Sequence, residues 1–205
     1  MHKLIFICCF VCCSIQAQTK MTTTEAENLK ALVKLQAETT KTIVSDFTQY
    51  KHLDFLSNDI VTKGRLHFKA PNLVKWAYNH PFEYAVIFKN ESLYINDEGH
   101  KSQIDIGASK MFKQLNQLIV KSVKGDMFNE AEFDITYYKA AQKSEVHFSP
   151  KNPEFSEFIT SFQIIFSKKG DVEQVKMIEP SGDFTKIVFS NRTLNTPVNH
   201  AVFNH

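Results

Sequence analysis

Two kinds of hydrophobic periodicity divide the chain. Residues 24–44 and 108–123 repeat apolar side chains every three or four positions, which is typical of amphipathic helices that cover a core. Elsewhere apolar and polar residues alternate, as at 66–68 (LHF) and 74–78 (VKWAY), which is typical of strands buried on one face. The pattern therefore predicts the order helix, meander, helix, meander.

The strands are expected to form one sheet. We expect about ten or eleven short strands, most of them joined by connections too short for parallel crossovers. The turns at 167–171 (SKKGD) and 180–183 (PSGD) are typical of hairpins. A single antiparallel sheet of this size has to curl in order to hide its edges and its apolar face. We therefore expect a mainly β fold: one long antiparallel sheet curled into an incomplete, open barrel, with helices covering its mouth.

The N-terminus has the organisation of a signal peptide. A short basic start precedes the uncharged apolar run Leu4–Ile15, which is shorter than the roughly 20 residues needed to span a bilayer. We expect cleavage to remove residues 1–17 and to leave 18–205 as a single exported, soluble domain without cysteine. A lipoprotein signal is the weaker alternative, because it needs a small residue directly before a cysteine, whereas Val11 precedes Cys12.

Composition excludes disordered, collagenous and coiled-coil proteins. The chain has 24 Lys and Arg against 22 Asp and Glu, a formal net charge of +2 and 43% hydrophobic residues, which are values of an ordinary globular domain. This balance gives no electrostatic case for a nucleic-acid partner. The 18 phenylalanines indicate an aromatic-rich interior. That interior is either a filled core or an apolar cavity under helical lids, and composition alone favours the filled core.

No enzyme motif is present in the sequence. It contains no GxSxG elbow, Walker loop, GxGxxG or HExxH, and all four cysteines lie in the predicted signal segment. We therefore expect a protein that is not an enzyme, with no catalytic residue, no cofactor and no metal site. An exported hydrolase with an unfamiliar site is the alternative.

Several short motifs, each weak on its own, together indicate one protein family through their order and spacing. The segment 46–49 (DFTQ) is followed by 64–81 (GRLHFKAPNLVKWAYNHP), and later by 168–191 (KKGDVEQVKMIEPSGDFTKIVFSN). The marked positions are Phe47, Gln49, Gly64, Pro71, Trp76, Tyr78, Pro81, Asn195, Val198 and Phe203. In order and spacing, these motifs resemble the LolA family of periplasmic outer-membrane lipoprotein carriers over most of the chain.

The resemblance implies a role and a site. It implies an apolar cavity that shields the acyl chains of lipoproteins, or of a related lipid, on the way from the inner to the outer membrane. The cavity is then expected to be lined by Phe47, Leu66, Phe68, Val74, Trp76, Tyr78, Val86, Leu93, Ile95, Phe162, Ile164 and Phe166. The helical lid is expected to present Met111, Phe112, Leu115, Leu118 and Ile119.

The resemblance also implies a location and partners. It implies a monomer in the periplasm of a Gram-negative type of cell envelope. The donor would be an inner-membrane ABC lipoprotein transporter, and the acceptor an outer-membrane lipoprotein receptor or the membrane itself. A lipid-responsive sensor with the same half-barrel fold is the alternative, although such a protein would normally bring a second domain.

One position departs from the family pattern. Many members carry an arginine just before the first proline, and the family uses it to hold the lid closed by hydrogen bonds. Here that position is Ala70, which alternation places on the same face as Leu66 and Phe68, whereas Arg65 and Lys69 fall on the opposite face. The resemblance therefore leaves open how the lid is latched.

Overall fold

One antiparallel sheet dominates the fold. The computed structural model describes residues 18–89, 92–105, 126–140 and 142–205. Within them, twelve strands pair in a single sheet, accompanied by two α-helices and a short 3-10 helix. In chain order the elements are β1 (Thr19–Lys20), α1 (Thr23–Thr39), β2 (Thr42–His52), β3 (Ile60–Lys69), β4 (Leu73–His80), β5 (Tyr84–Lys89), β6 (Ser92–Asp97), β7 (His100–Asp105), β8 (Phe133–Ala140), β9 (Lys143–Pro150), α2 (Pro153–Ser156), β10 (Ser161–Phe166), β11 (Val172–Ile178), β12 (Phe184–Leu194) and the 3-10 helix (His200–Phe203).

Two meanders build the sheet. Strands β2 to β7 lie side by side in chain order, and so do strands β8 to β12. The meanders join where β12 pairs with β2, with Phe189 opposite Phe47, while β1 pairs with β8 at the far side. Because β1 and β7 stand at opposite ends of the strand order, the sheet is open. This confirms the predicted fold class, although the alternation missed β1 and β2.

Helix α1 begins with a capping box. The amide of Glu25 donates a hydrogen bond to the Thr22 hydroxyl (3.3 Å), and the Thr22 amide donates to the Glu25 carboxylate (2.9 Å). The apolar stripe that predicted the helix turns inward, since Leu29 and Val33 are buried. The start of this helix is therefore fixed locally, by the hydrogen bonds between Thr22 and Glu25.

The end of α1 differs from the prediction. The helix was expected to continue to Val44, but it ends at Thr39, and Ile43 and Val44 belong to β2. The run from Thr39 onward is rich in β-branched residues, which favour strands because a helix restricts their side chains. The Thr40 hydroxyl donates to the Gln36 carbonyl (2.6 Å) and helps to close the last turn.

Asn195 fastens the junction between α1 and β2. Its backbone adopts a positive φ of 57°, which asparagine tolerates better than most residues. Its side-chain oxygen accepts from the Lys41 amide (2.7 Å), and its side-chain amide donates to the Thr39 carbonyl (3.2 Å). Its own amide donates to the Thr42 carbonyl (2.9 Å). The residue after β12 therefore holds the start of β2.

The C-terminal segment covers part of the outer face of the sheet. Phe203 is 1% exposed and packs against Leu73 and Ile87, which point away from the inner face. The Lys69 ammonium donates to the Val198 carbonyl (3.1 Å) and ties the segment to β3. Apolar residues on both faces of β4 and β5 are therefore buried, each face by a different partner.

Ala70 does not lie where alternation placed it. Strand β3 ends at Lys69, and Ala70 is an exposed turn residue whose amide donates to the Lys41 carbonyl (2.8 Å). The prediction that it shares the inner face with Leu66 and Phe68 is wrong, because the strand stops one residue earlier than the pattern indicated.

Candidate functional site

An apolar cavity lies between the inner face of the sheet and helix α1. Its volume is about 440 Å³, and its walls are formed mainly by aliphatic and aromatic side chains. Strands from both meanders contribute, so the cavity spans the seam between β12 and β2. Ten of the predicted cavity residues lie on its wall, namely Leu66, Phe68, Val74, Trp76, Tyr78, Val86, Leu93, Ile95, Phe162 and Ile164.

The wall of the first meander includes two rows of side chains that run across four strands. Because alternate residues of a strand point to one face, residues paired across strands share that face. One row joins Leu66, Trp76, Val86 and Ile95, and the other joins Phe68, Val74, Phe88 and Leu93. The alternation that predicts the strands therefore also builds the apolar wall.

The second meander forms the opposite wall in the same way. Phe162 pairs with Phe148 on one side and with Met177 on the other, and Ile164 pairs with Val175. All five side chains line the cavity. Ile187 and Phe189 of β12 continue the wall toward the seam, and their alternation in the sequence was a sufficient signal to find them.

Helix α1 closes the third side. Val33, Gln36 and Ala37 face the cavity, and the Gln36 side-chain amide donates to the Asp171 carboxylate (3.2 Å). The turn before β11 approaches the helix closely, since an added Cβ at Gly170 would lie 3.1 Å from the Leu32 side chain. The helix is therefore docked by a polar contact and by a tight apolar one.

Two predicted cavity residues lie behind the wall instead of on it. Phe47 is 1% exposed because the rings of Trp76 and Tyr78 cover it, with ring centroids 4.8 Å and 5.1 Å from its own. Phe166 is fully buried in the cluster that includes Val33. Both rings lie on the inner face of their strands, but neither is part of the cavity wall.

The remaining predictions for the site concern other segments. The predicted lid residues Met111, Phe112, Leu115, Leu118 and Ile119, like the predicted signal segment 1–17, lie outside the described residues.

A hydrogen-bonded pair interrupts the apolar wall at one place. The Tyr78 hydroxyl donates to the Gln49 side-chain oxygen (3.0 Å), and both residues line the cavity. Burial raises the pKa of Tyr78, so its hydroxyl stays protonated and remains a donor. The pair gives Gln49, which the family resemblance singled out, a contact that satisfies two polar groups within an apolar surface.

A charged pair interrupts the wall at a second place. A guanidinium nitrogen of Arg192 lies 3.6 Å from the Asp171 carboxylate, and another donates to the Val172 carbonyl. Burial lowers the pKa of Arg192 from its usual value. Sequence reasoning missed both residues, because the local alternation gives no sign that an arginine turns inward here.

Two other kinds of site have no support in the described part of the chain. There, no group of three or more His, Cys, Asp or Glu residues is placed to hold a metal ion. Nor does any helix in these ranges combine the length and the apolar character needed to cross a membrane.

Known proteins resemble this chain in sequence. A family model described as "Outer membrane lipoprotein carrier protein LolA" matches residues 38–205. A protein of Francisella philomiragia named outer-membrane lipoprotein carrier protein is 28% identical over 135 residues. That match covers 66% of this chain and 62% of the relative, slightly less than two thirds of its length.

Solved structures share the fold. A DUF1329 family protein from Desulfovibrio piger superposes with a TM-score of 0.51 at 14% identity, over 87% of this chain and 97% of its own. MucB of Pseudomonas aeruginosa, in a complex with MucA, gives a TM-score of 0.51 at 5% identity, over 88% of this chain and 61% of the matched chain. At such low identity these likenesses concern the fold alone. Because the family model extends over most of the sequence, including every strand that lines the cavity, the chain belongs to the LolA family of outer membrane lipoprotein carrier proteins.

Proposed function

We propose that this protein shields the acyl chains of lipoproteins, or of a related lipid, and carries them through the periplasm from the inner to the outer membrane. The observation that carries the proposal is the apolar cavity of about 440 Å³. Its size falls within the range of roughly 300–1,000 Å³ that is usual for small-molecule sites. Family membership supports the choice of an acyl chain as its occupant.

The chemistry of the wall suits a cargo that must be both held and released. An acyl chain of ~16 carbons costs on the order of 12 kcal/mol to expose to water, at about 0.8 kcal/mol per methylene. Contacts with Phe, Met, Leu and Val side chains are not directional, so they tolerate chains of different length. Such a wall can stabilise the cargo without selecting one fixed pose.

The partners follow from the same proposal. The donor would be an inner-membrane ABC lipoprotein transporter, and the acceptor an outer-membrane lipoprotein receptor or the membrane itself. The protein would act as a monomer, with the segment 108–123 as a lid over the cavity mouth. The name of the Francisella relative supports a carrier role, and the likeness to MucB adds only the fold.

Mass spectrometry of lipid bound to the purified protein tests the proposal. The full chain would be expressed in a Gram-negative host, purified from the periplasm without detergent, and extracted with organic solvent. We expect acyl lipid or lipoprotein to copurify with the wild type. Val86→Glu places a carboxylate on the cavity wall, where burying an unpaired charge is costly, and should abolish the copurifying lipid.

A matched control uses the neighbouring residue. Ala85 lies on the same strand but points to the opposite face, so Ala85→Glu introduces the same charge outside the cavity. Its lipid content should equal that of the wild type. Absence of lipid from the wild type, or equal lipid in both variants, would contradict the proposal.

A further inference from the structure

A bulge in β12 changes which side chains face the cavity. Ile187 and Phe189 point inward, so regular alternation would direct residue 191 inward and residue 192 outward. Instead, the pairing with β2 shifts between Ser190 and Thr193, where one extra residue is accommodated. Asn191 has a positive φ of 49°, a conformation that asparagine tolerates. Bulges are known to redirect side chains next to functional sites.

The bulge turns Asn191 outward and Arg192 inward. The Asn191 side-chain amide donates to the Asp46 carboxylate on the outer face (2.9 Å), and Arg65 donates to the same carboxylate (2.8 Å). Arg192 lines the cavity, with 19% of its side chain exposed. The chain contains two arginines: Arg65 is 54% exposed on the outer face, whereas Arg192 lies in the apolar wall.

The surroundings of Arg192 are unusual for this cavity. Among the described lining residues, Arg192 and Asp171 are the charged side chains. Asp171 also accepts from the Gln36 amide (3.2 Å) and the Ser167 hydroxyl (3.3 Å), so its charge is shared among several donors. A guanidinium has five N–H donors in a fixed plane, more than the Val172 carbonyl and Asp171 can use.

The chemistry of the pair selects the kind of acceptor. Because Asp171 balances the charge of Arg192, a second carboxylate or a phosphate brought to this place would meet a like charge. A neutral carbonyl oxygen would not, and in apolar surroundings it needs a donor. We infer that Arg192 donates a hydrogen bond to the ester or amide carbonyl at the head of a bound acyl chain, and so fixes which end of the chain lies beside α1.

This inference rests on the proposed function, and a ligand comparison tests it. Methyl laurate and tridecane carry the same number of carbons, but only the ester has a carbonyl; laurate adds a charged head. Affinities would be measured by displacement of the neutral dye N-phenyl-1-naphthylamine. Arg192→Met should weaken the affinity for methyl laurate about tenfold, equivalent to about 1.4 kcal/mol. It should change the affinity for tridecane less than about twofold. Arg65→Met removes the other arginine and should leave both affinities unchanged.

A spectroscopic readout on the wild-type protein makes the test independent of how the variant folds. Methyl laurate labelled with carbon-13 at the carbonyl should show a C=O stretch at lower frequency when bound than in dry tridecane. A bound band at the dry-hydrocarbon frequency would overturn the inference.

The affinity experiment has three further outcomes that count against it. If Arg192→Met weakened the affinities for methyl laurate and for tridecane equally, Arg192 would only support the cavity wall. A wild type that binds laurate more tightly than methyl laurate would mean an anion site instead of a carbonyl site. A wild type that binds none of the three ligands would overturn the proposed function as well.

Discussion

The ring of Phe47 occupies the space that a side chain at position 64 would need. The two residues pair directly across β2 and β3, and an added Cβ at Gly64 would lie 2.6 Å from the Phe47 ring and 2.2 Å from the Ala77 carbonyl oxygen. Phe47 in turn supports the rings of Trp76 and Tyr78 on the cavity wall. Three separate family motifs therefore meet in one contact.

We predict that Gly64→Ala destabilises the protein by about 2–3 kcal/mol, because the added methyl group meets backbone that cannot move aside. Urea denaturation followed by circular dichroism would measure the loss. Gly99→Ala is the matched control: nothing lies within 4 Å of an added Cβ there, so only the cost of its positive φ remains. A loss at position 64 no larger than at position 99 would contradict the prediction.

We predict that the fluorescence of Trp76 reports occupancy of the cavity. Trp76 is the single tryptophan of the chain, and its side chain lies on the wall with Phe47 behind it. An acyl ligand displaces water from the exposed part of the ring, so the emission should shift to the blue or change in intensity. Titration with methyl laurate would show it, and Val86→Glu should lose the response. Emission that ignores every acyl ligand would make Trp76 an ordinary core residue.

We predict that Phe203→Ala costs about 3 kcal/mol of unfolding free energy, as is usual for the loss of a buried ring. Because Phe203 packs on the outer face, ligand affinity of the folded variant should stay unchanged. Phe55→Ala serves as the control, since Phe55 is 80% exposed and its removal should change stability little. A variant that folds normally but loses its ligand would show that the two faces of the sheet are coupled.

We predict a pH effect from His67. Partial burial, with Lys75 and Arg65 nearby, lowers the pKa of His67 below its usual value of 6.5. Below about pH 6.5 the unfolded chain therefore takes up a proton that the folded chain does not, and stability falls as the pH drops. Thermal unfolding between pH 7.5 and 5 would show a smaller loss in His67→Gln than in the wild type. Parallel curves for the two proteins would contradict this assignment.

The sequence predicted the architecture well, because local patterns dictate it. Period-2 alternation located ten strands and most of the wall, and short turns required an antiparallel sheet. What it missed depended on contacts between distant segments: Ile43 and Val44 extend an apolar helical stripe, yet pairing with β3 and β12 draws them into a strand.

The candidate site was predicted less completely, because the sequence pattern shows neither how deeply a side chain is buried nor how β12 is paired with β2. Phe47 was expected on the wall from the family resemblance and Phe166 from alternation as well, but neither signal tells whether a side chain reaches the cavity or lies buried behind its wall. A bulge depends on the partner strand, so the inward turn of Arg192 had no signal in its own neighbours. The charged pair emerges only once β12 is aligned with β2.

The seam between β12 and β2 has a consequence for how the protein matures. The strand that completes the cavity is the last of the described strands to be synthesised, and it pairs with one that left the ribosome long before. Until β12 arrives, β2 is an open edge and neither wall faces the other. Pairings between such distant parts of the chain form slowly. The cavity, whose walls come from both meanders, is therefore enclosed only once β12 has paired with β2.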